Sequence, residues 1–303
     1  MMKKLISLLI VLIMCFSIAA CGEDPENTGK PNNGGEQGNN NNVSANRDYF
    51  IWSDTDDSII VGCTEEGLKQ KVLVIPAECK KLTSLDGNAV VETITFENDD
   101  TLVATNAFRD CTALKQITLP ANLTIVNDDA FNGCTSLESI VIPANVTKIG
   151  EGAFSGCKAL TTVDLNDKLE TIARKAFYNC GSLAALEIPD SVSEIGKQAF
   201  SKCANLATVL FGNGLKTVGV SAFEDCDALK EIKLQEGVTT LDENAFAFCD
   251  AVESIYLPST LVDMHKNSIA QTHIVKVYVV AGSYADQNLD SFMGSEYFEK
   301  QYQ

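Results

Sequence analysis

The feature that most constrains the fold is a motif that recurs every 23 residues. Ala-Phe pairs begin at positions 107, 130, 153, 176, 199, 222 and 245, and a Cys follows each Phe by three residues. A Leu or Val comes three residues after each Cys, followed by two alternating apolar residues and, in four copies, by Pro. Seven copies in constant phase predict stacked repeats, because each copy is too small to bury its own apolar side chains.

Each part of the repeat predicts a local structure. The unit reads A-F-x-x-C-x-x-L-x-x-I-x-L-P-x-x-V-x-x-I-G-x-x, and its alternating I-x-L segment predicts a short strand closed by Pro or Gly. Strands of successive copies would stack in parallel, about 4.8 Å apart. The A-F-x-x-C segment favours a helical turn on the opposite side. The V-x-x-I-G segment is either a turn or a second short strand, with Gly150, Gly196 and Gly219 at a corner of positive φ.

The unit resembles the BspA-type (Treponema-like) leucine-rich repeat of bacterial surface proteins, over roughly residues 50–285. The resemblance implies a leucine-rich-repeat solenoid: a right-handed coil of 23-residue units, with a parallel β-sheet on the concave face and short helical turns or irregular segments on the other side. Members of the family act as adhesins for host matrix or plasma proteins, or in bacterial co-aggregation. The chain departs from ordinary leucine-rich repeats, since it lacks their Asn ladder and its Cys occupies another phase.

Degenerate copies flank the regular ones. The matching apolar residues before the first copy and after the last are Leu85, Val91, Ile94 and Phe96, and then Ile269, Val275, Tyr278 and Val280. Further upstream, residues 72–76 resemble another strand with its closing Pro. We therefore expect an N-terminal capping segment at 47–84, the solenoid at 85–280, and a C-terminal cap or tail at 281–303 that forms a helix or a frayed end.

The N-terminus predicts secretion. Lys3 and Lys4 precede an apolar run and small residues, which together indicate a signal peptide at 1–20. The sequence I-A-A-C-G resembles a bacterial lipobox, which implies that Cys21 becomes the lipidated N-terminus. Residues 21–46 are rich in Asn and Gly and predict a disordered tether. We expect a secreted chain that is lipid-anchored to the cell envelope, at the outer membrane and exposed on the surface.

Composition and motifs argue against several functions. The net charge of −18 disfavours nucleic acid and anionic membrane surfaces, so the lipid anchor is the expected membrane contact. No nucleophile elbow, phosphate-binding loop or dinucleotide-binding motif is present in the sequence, and we predict neither enzymatic activity nor a cofactor. His265 and His273 lack the spacing of metal ligands and are interpreted as surface or cap residues.

The cysteines allow three interpretations. A metal site would need C-x-x-C spacing, and in-register parallel rungs hold Cβ atoms about 4.8 Å apart, longer than the ~3.8 Å of a disulfide. Buried, small, apolar thiols are therefore favoured. Cys63 and Cys79 lie outside the ladder, and a disulfide between them stays open. Asp54, Asp56 and Asp57 offer oxygen ligands for calcium but lack the EF-hand spacing, so a solvated turn is favoured and no metal is expected.

The positions that vary while the core repeats are the candidate ligand contacts. One outward residue per strand gives a column of Thr118, Val141, Asp164, Glu187, Leu210, Lys233 and Tyr256. A second column consists of Gln116, Ser139, Thr162, Ala185, Thr208, Glu231 and Ser254. The strip would be roughly 30–35 Å long. Because Tyr256 is its single predicted aromatic residue, it suits a protein better than a glycan; plain solvated strand residues are the other interpretation.

Two functions are consistent with these features. The first is a cell-envelope lipoprotein that binds a protein through the concave face of the solenoid. Its partner would be a host matrix or plasma protein, or another bacterial surface component. The alternative is a periplasm-facing structural or assembly lipoprotein without an external ligand.

Overall fold

The computed structural model of this chain describes residues 45–293 and 298–303. The expected signal peptide of residues 1–20, the candidate lipidation site Cys21 and the tether up to residue 44 lie outside the described residues. The described part is a β-solenoid in which each 23-residue rung contributes a strand to each of two sheets and a turn segment to a third side. A rung is named below by its Phe, so the Phe177 rung comprises residues 162–184.

An antiparallel hairpin begins the described part, formed by β1 (Phe50–Trp52) and β2 (Ile59–Cys63). A 3₁₀ turn at Arg47–Tyr49 precedes it, and a second one at Gly67–Lys69 follows it. In the hairpin turn, the carboxylate of Asp56 accepts hydrogen bonds from the backbone N–H and hydroxyl of Ser58, at 2.9 and 2.6 Å. These bonds lower the pKa of the exposed Asp56. The acidic cluster is therefore a turn, as the sequence favoured.

Sheet A runs along one side of the solenoid with all its strands parallel. Its strands are β3 (Val72–Ile75), β5 (Thr93–Phe96), β7 (Gln116–Ile117), β9 (Ser139–Val141), β11 (Thr162–Asp164), β13 (Ala185–Glu187), β15 (Thr208–Leu210), β17 (Glu231–Lys233), β19 (Ser254–Tyr256), β21 (Lys276–Val279) and β22 (Glu299–Tyr302). Its ladders are β3-β5-β7, β9-β11, β13-β15 and β17-β19-β21-β22. Residues 23 apart are paired, as in Val163 with Ile140, so the predicted I-x-L strand is confirmed.

Sheet B settles the alternative that the sequence left open at V-x-x-I-G, because this segment forms a second strand. The hairpin strands β1 and β2 continue into β4 (Lys81–Leu82) and β6 (Leu102–Val103). A seven-stranded parallel ladder follows, consisting of β8 (Ile125–Val126), β10 (Lys148–Ile149), β12 (Thr171–Ile172), β14 (Glu194–Ile195), β16 (Thr217–Val218), β18 (Thr240–Leu241) and β20 (Asp263–Met264).

The third side, here called the turn face, carries the Ala-Phe-x-x-Cys segments and differs from the helical turn that the sequence favoured. Each repeat Phe N–H donates to a backbone carbonyl of the next rung instead of along its own segment. The acceptor is an Ala in six rungs, as from Phe177 to Ala199 at 2.8 Å, and Ser268 for Phe246. Two residues per rung have positive φ, for example Lys175 (56°) and Asn179 (60°). Left-handed residues interrupt a right-handed helix, so these segments are irregular turns.

The prediction of positive φ at Gly150, Gly196 and Gly219 is wrong, because none of the three has it. Their lack of a side chain is needed for another reason, the close approach of the preceding rung. A Cβ on Gly196 would lie 2.9 Å from the backbone nitrogen of Arg174, and one on Gly219 would lie 2.8 Å from the carbonyl oxygen of Ile195. Backbone contact between rungs, not chain reversal, requires glycine here.

The core is built from columns of identical side chains, as predicted. The seven repeat Phe rings stack with centroids 5.0–5.2 Å apart and planes inclined by 3–18°. All seven are fully buried, and so are the seven repeat cysteines beside them. Parallel, offset rings at this spacing are favourably stacked.

The cysteine column does more than fill space. Each thiol from Cys134 to Cys249 donates to the carbonyl oxygen of the Phe one rung earlier, at 3.0–3.3 Å. The same oxygen accepts the N–H of the Cys in its own rung, as Phe177 does from Cys180. Buried thiols are thus confirmed, but they are hydrogen-bonded rather than purely apolar. Cys63 and Cys79 are also free thiols in the structure.

At the C-terminal end, the register expected from the sequence is wrong by one residue. Tyr256 pairs with Tyr278, 22 residues later, which turns Val277 and Val279 inward. Val275 is instead 54% exposed, while Tyr278 points outward and Val280 is only half-buried. The last repeat is one residue shorter than the regular repeats between Ile269 and Val277. Because side chains alternate along a strand, this one-residue slip turns the side chains of the strand to the opposite face.

The chain then forms one helix and a further strand, where the sequence predicted a helix or a frayed tail. Helix α1 (Tyr284–Met293) buries Ala285 and Leu289 against the end of the core. Strand β22 pairs in parallel with β21. Lys300 on β22 forms salt bridges with Asp286 and Asp290 of α1, at 3.5 and 3.0 Å. At the other end Leu85, Val91 and Ile94 are buried, as expected of a degenerate copy.

The thiol column makes stability depend on pH. Burial raises the pKa of Cys203 from 9.0 to about 12, so between these values the unfolded chain loses a proton that the folded chain keeps, and stability falls as pH rises. Cys203→Ser keeps a hydroxyl donor that does not ionise in this range. From pH 8 to pH 10, we expect unfolding free energy to fall by about 1.4 kcal/mol more in the native chain than in the variant.

Denaturant unfolding at both pH values measures this difference. The remaining thiols and lysines titrate equally in both proteins, so the comparison isolates Cys203. An identical loss of stability in the two proteins would show that this thiol is not held protonated by burial.

Candidate functional site

The structure places the predicted strip on the outer surface of sheet A. Thr118, Val141, Asp164 and Lys233 are exposed, and Glu187, Leu210 and Tyr256 are half-buried. Their column continues beyond the predicted ends, with Thr95 on β5 and with Tyr278 and Gln301 on β21 and β22. Whether these side chains contact a ligand stays a prediction.

Sheet A is better suited to recognition than sheet B because it is wider. Its strands present two outward residues per rung, as Thr162 and Asp164 do on either side of inward Val163. Most strands of sheet B are two residues long and present one, for example Lys148 beside buried Ile149. A partner on sheet A would therefore meet two parallel columns of side chains.

An aromatic pair lies at the C-terminal end of the strip. The rings of Tyr256 and Tyr278 are parallel within 2°, with centroids 4.0 Å apart. The ammonium group of Lys233 lies 5.0 Å from the centre of the Tyr256 ring, on the neighbouring rung. Stacked rings with a cation beside them form a preorganised cluster, since each side chain restrains the next.

The hydroxyl of Tyr256 lies in a polar network. Its pKa is raised, because partial burial disfavours the phenolate and because the Tyr278 hydroxyl and the negative charge of Glu231 are close. Glu231 in turn accepts a hydrogen bond from the Ser254 hydroxyl at 3.4 Å. The protonated hydroxyl of Tyr256, next to a carboxylate, offers both a donor and an acceptor to a partner.

Tyr278 is the residue that sequence reasoning missed. The 23-residue period placed it in the core, whereas the structure makes it the neighbour of Tyr256. The signal was present in the sequence K-V-Y-V-V, where Val277 and Val279 alternate with polar or aromatic residues. The strip therefore carries two aromatic residues rather than one.

The middle of the strip is acidic. Asp164 and Glu187 occupy consecutive rungs of the outward column, between Val141 and Leu210. The pKa of Asp164 is raised, first because the protein partly removes its carboxyl group from water and second because Asp167 is also negative. A carboxylate in such surroundings gains most from a cationic group of a partner.

Other groups of the described region have structural roles. The Nδ1 atom of His265 accepts the backbone N–H of Asn267 at 3.2 Å, and Nδ1 of His273 lies 2.8 Å from the carbonyl oxygen of Asp250. No cluster of three or more His, Cys, Asp or Glu side chains suited to a metal ion occurs within residues 45–293 and 298–303. In the same ranges, no helix is long and apolar enough to cross a membrane.

The repeat region is similar to known proteins in both sequence and structure. The family model described as BspA type leucine rich repeat region matches residues 85–185 and 170–299, with six copies. A leucine-rich repeat protein of T. pallidum is similar in structure, with 24% identity, 84% of this chain and 97% of that chain covered, and a TM-score of 0.45.

Two further solved structures are similar. For a leucine-rich repeat protein from Bacteroides ovatus, identity is 18%, coverage is 84% of this chain and 98% of that chain, and the TM-score is 0.38. For a leucine rich cell surface protein from Faecalibacterium prausnitzii the values are 18%, 81%, 96% and 0.35. No curated protein matches this sequence.

The position of Tyr278 on the strip can be tested through its neighbours. Val277→Asp places a charge in the core and should lower the unfolding free energy by several kcal/mol, since an unpaired buried carboxylate is costly (about 3 kcal/mol or more). Val275→Asp adds the same group to an exposed position and should change stability by less than about 0.5 kcal/mol. Thermal melts of both variants measure this. If Val275→Asp were instead the more destabilising variant, the 23-residue register would be correct and Tyr278 would lie in the core.

Proposed function

This chain belongs to the family of BspA type leucine-rich repeat proteins, and we propose that it is a cell-surface module that binds a protein partner on sheet A. The family is one of bacterial surface leucine-rich repeat proteins, and its fold is typically a non-enzymatic scaffold for protein interaction. The observation that carries the proposal is the Tyr256–Tyr278 stack beside Lys233, at the end of a strip whose residues change from rung to rung.

The tyrosine pair has the properties of a binding hot spot. Tyrosine provides a large apolar ring and a polar hydroxyl at low cost in side-chain entropy, and Tyr, Trp and Arg dominate measured hot spots. The pair is already ordered by stacking, so a partner would not need to immobilise it. Leu210 and Val141 add apolar area further along the strip, and Asp164 and Glu187 add charge that selects for basic groups.

The expected partner is a protein, either a host matrix or plasma protein or another component of a bacterial surface. Support for a protein comes from the mixed apolar, aromatic and charged character of sheet A and from its length. The eleven strands of sheet A, spaced by ~4.8 Å, give a surface about 50 Å long. A partner that covers both outward columns over this length would approach the ~800 Å² per partner of a standard interface. A short peptide would cover too few rungs.

The N-terminal features support attachment to the cell envelope. We propose that Cys21 carries lipid and that the Asn- and Gly-rich residues 21–46 act as a tether. The binding surface would then stand clear of an outer membrane while remaining attached to it.

Paired variants test where the partner binds. The secreted chain is screened against immobilised matrix proteins, plasma proteins and bacterial surface fractions, and its dissociation constant is measured for each ligand found. Tyr256→Ala and Tyr278→Ala should each weaken binding by about 30-fold, the effect of a hot-spot truncation of about 2 kcal/mol. Thr217→Ala and Thr240→Ala on sheet B are the matched controls and should leave affinity within about twofold.

Two outcomes contradict the proposal. If the native chain binds none of these proteins or fractions, it is not a surface receptor of this kind. If it does bind, but the sheet B controls weaken binding as much as the tyrosine variants do, then sheet A is not the binding surface.

A further inference from the structure

The turn face carries a separation of charge that no other side of the solenoid matches. On the turn face of the Phe177 and Phe200 rungs, residues 173–183 and 196–206 contain four basic residues and no acidic one. On the next two rungs, residues 219–229 and 242–252 contain six acidic residues and no basic one. The basic residues are Arg174, Lys175, Lys197 and Lys202; the acidic ones are Glu224, Asp225, Asp227, Asp242, Glu243 and Asp250.

Most of these charges form no salt bridge. Arg174 pairs with Glu151 of the preceding rung. Across the part of the chain that the structure describes, no other member of the two groups forms a salt bridge. The pKa of Asp227 is raised, first by partial burial and then by the negative charges of Asp250 and Asp225. The acidic rungs therefore repel one another and would be stabilised by added cations.

Each half also presents an aromatic side chain. Tyr178 on the basic half lies between two ammonium groups, those of Lys175 and Lys202, at 5.4 and 5.7 Å from its ring centre. Phe248 on the acidic half is 45% exposed and has a φ of 58°. The equivalent left-handed positions of the other rungs hold Gly, Asp, Asn, Lys or Gln. A bulky apolar residue in this conformation is an outlier that points to a role outside the monomer's own stability.

We propose that the turn face of these four rungs binds a second copy of this chain in antiparallel orientation. A two-fold axis between the Phe200 and Phe223 rungs, perpendicular to the stack, brings the Phe177 rung of one copy level with the Phe246 rung of the other. The Phe200 rung then meets the Phe223 rung. The ring spacings across these rungs are 5.2, 5.2 and 5.1 Å, so all four levels stay in register.

This arrangement places opposite charges against both the basic and the acidic half. Every basic rung faces an acidic rung, twice per dimer, as an isologous contact requires. Tyr178 of each copy lies at the same level as Phe248 of the other copy. Contact between the two side chains covers the exposed ring of Phe248. Both sheets remain open, so the contact is compatible with a partner on sheet A.

A polyanion is the competing occupant of the basic half, and the geometry disfavours it. The basic half is two rungs wide, and the adjoining rung adds Glu224, Asp225 and Asp227 directly along the same column. An anionic polymer that followed the stack would meet these acids after about 10 Å, at ~5 Å per rung. A second copy, in contrast, offers cations at the acidic rungs and acids at the basic ones.

Charge reversal followed by mixing tests the proposal. The secreted chain without its lipid (Cys21→Ser) is examined by analytical ultracentrifugation at about 100 µM, where ionic contacts should give dimer at about 50 mM salt and monomer at about 500 mM. Lys175→Glu with Lys202→Glu, and separately Asp225→Lys with Asp227→Lys, should each abolish self-association. Lys already occupies the conformation of Asp225 at position 202, so the backbone tolerates the change.

An equimolar mixture of the two double variants should form a heterodimer, because reversed charges then face each other at both contacts. Lys148→Glu with Lys168→Glu, away from the turn face, makes the same change in net charge as Lys175→Glu with Lys202→Glu and should dimerise like the native chain. Tyr256→Ala should also dimerise normally, which separates this contact from the binding surface of sheet A. Phe248→Ala should weaken the dimer at least about tenfold, as loss of a buried aromatic anchor does.

Three results would overturn the proposal: a native chain that is monomeric at low salt, a mixture of the two double variants that stays monomeric, or a control variant that loses self-association. Retention of a monomeric native chain on immobilised heparin, abolished by Lys175→Glu with Lys202→Glu, would assign the basic half to a polyanion instead.

Discussion

Superposition of identical side chains from rung to rung is the constraint on which the rest of the structure depends. Each repeat Phe ring stacks on the next, and the thiols from Cys134 to Cys249 donate to the carbonyl oxygen of the Phe one rung earlier. Both contacts fail if a rung changes its length or its phase. The surface therefore inherits the same period, so exposed side chains 23 residues apart become neighbours, as in the ion pairs of Glu92 with Lys115 and Glu151 with Arg174.

A rigid core leaves the three sides of the solenoid free to vary. Sheet A offers two outward columns and ends in the Tyr256–Tyr278 stack, sheet B offers one column, and the turn face reverses its charge between the Phe200 and Phe223 rungs. We propose separate roles for these sides, with partner recognition on sheet A and self-association on the turn face. The repeat thiols are buried inside the core, and burial raises the pKa of Cys203, which keeps it a protonated donor.

The period made most of the fold predictable, since a strict repeat determines which residues stack. The strands of sheet A, the Phe and Cys columns and the outward position of residues such as Thr118 and Lys233 followed from it. The period could not predict the features that depend on contacts between rungs. The need for glycine at position 196 comes from the backbone of Arg174, and the thiol donors come from the position of a neighbouring carbonyl group. The missing residue before Val277 breaks the period itself, which is why Tyr278 was assigned to the core.

If the chain is a surface-exposed binding module, as we propose, sheet A faces the outside of the cell, where it can meet a partner. Protease treatment of intact cells, followed by detection of the repeat region with an antibody, tests this most directly. We expect the antibody signal to be lost from intact cells while a periplasmic marker survives. If the repeat region survives in intact cells and is digested only after lysis, it lies inside the envelope. The chain would then be a periplasm-facing structural lipoprotein, and a role in binding external proteins would be contradicted.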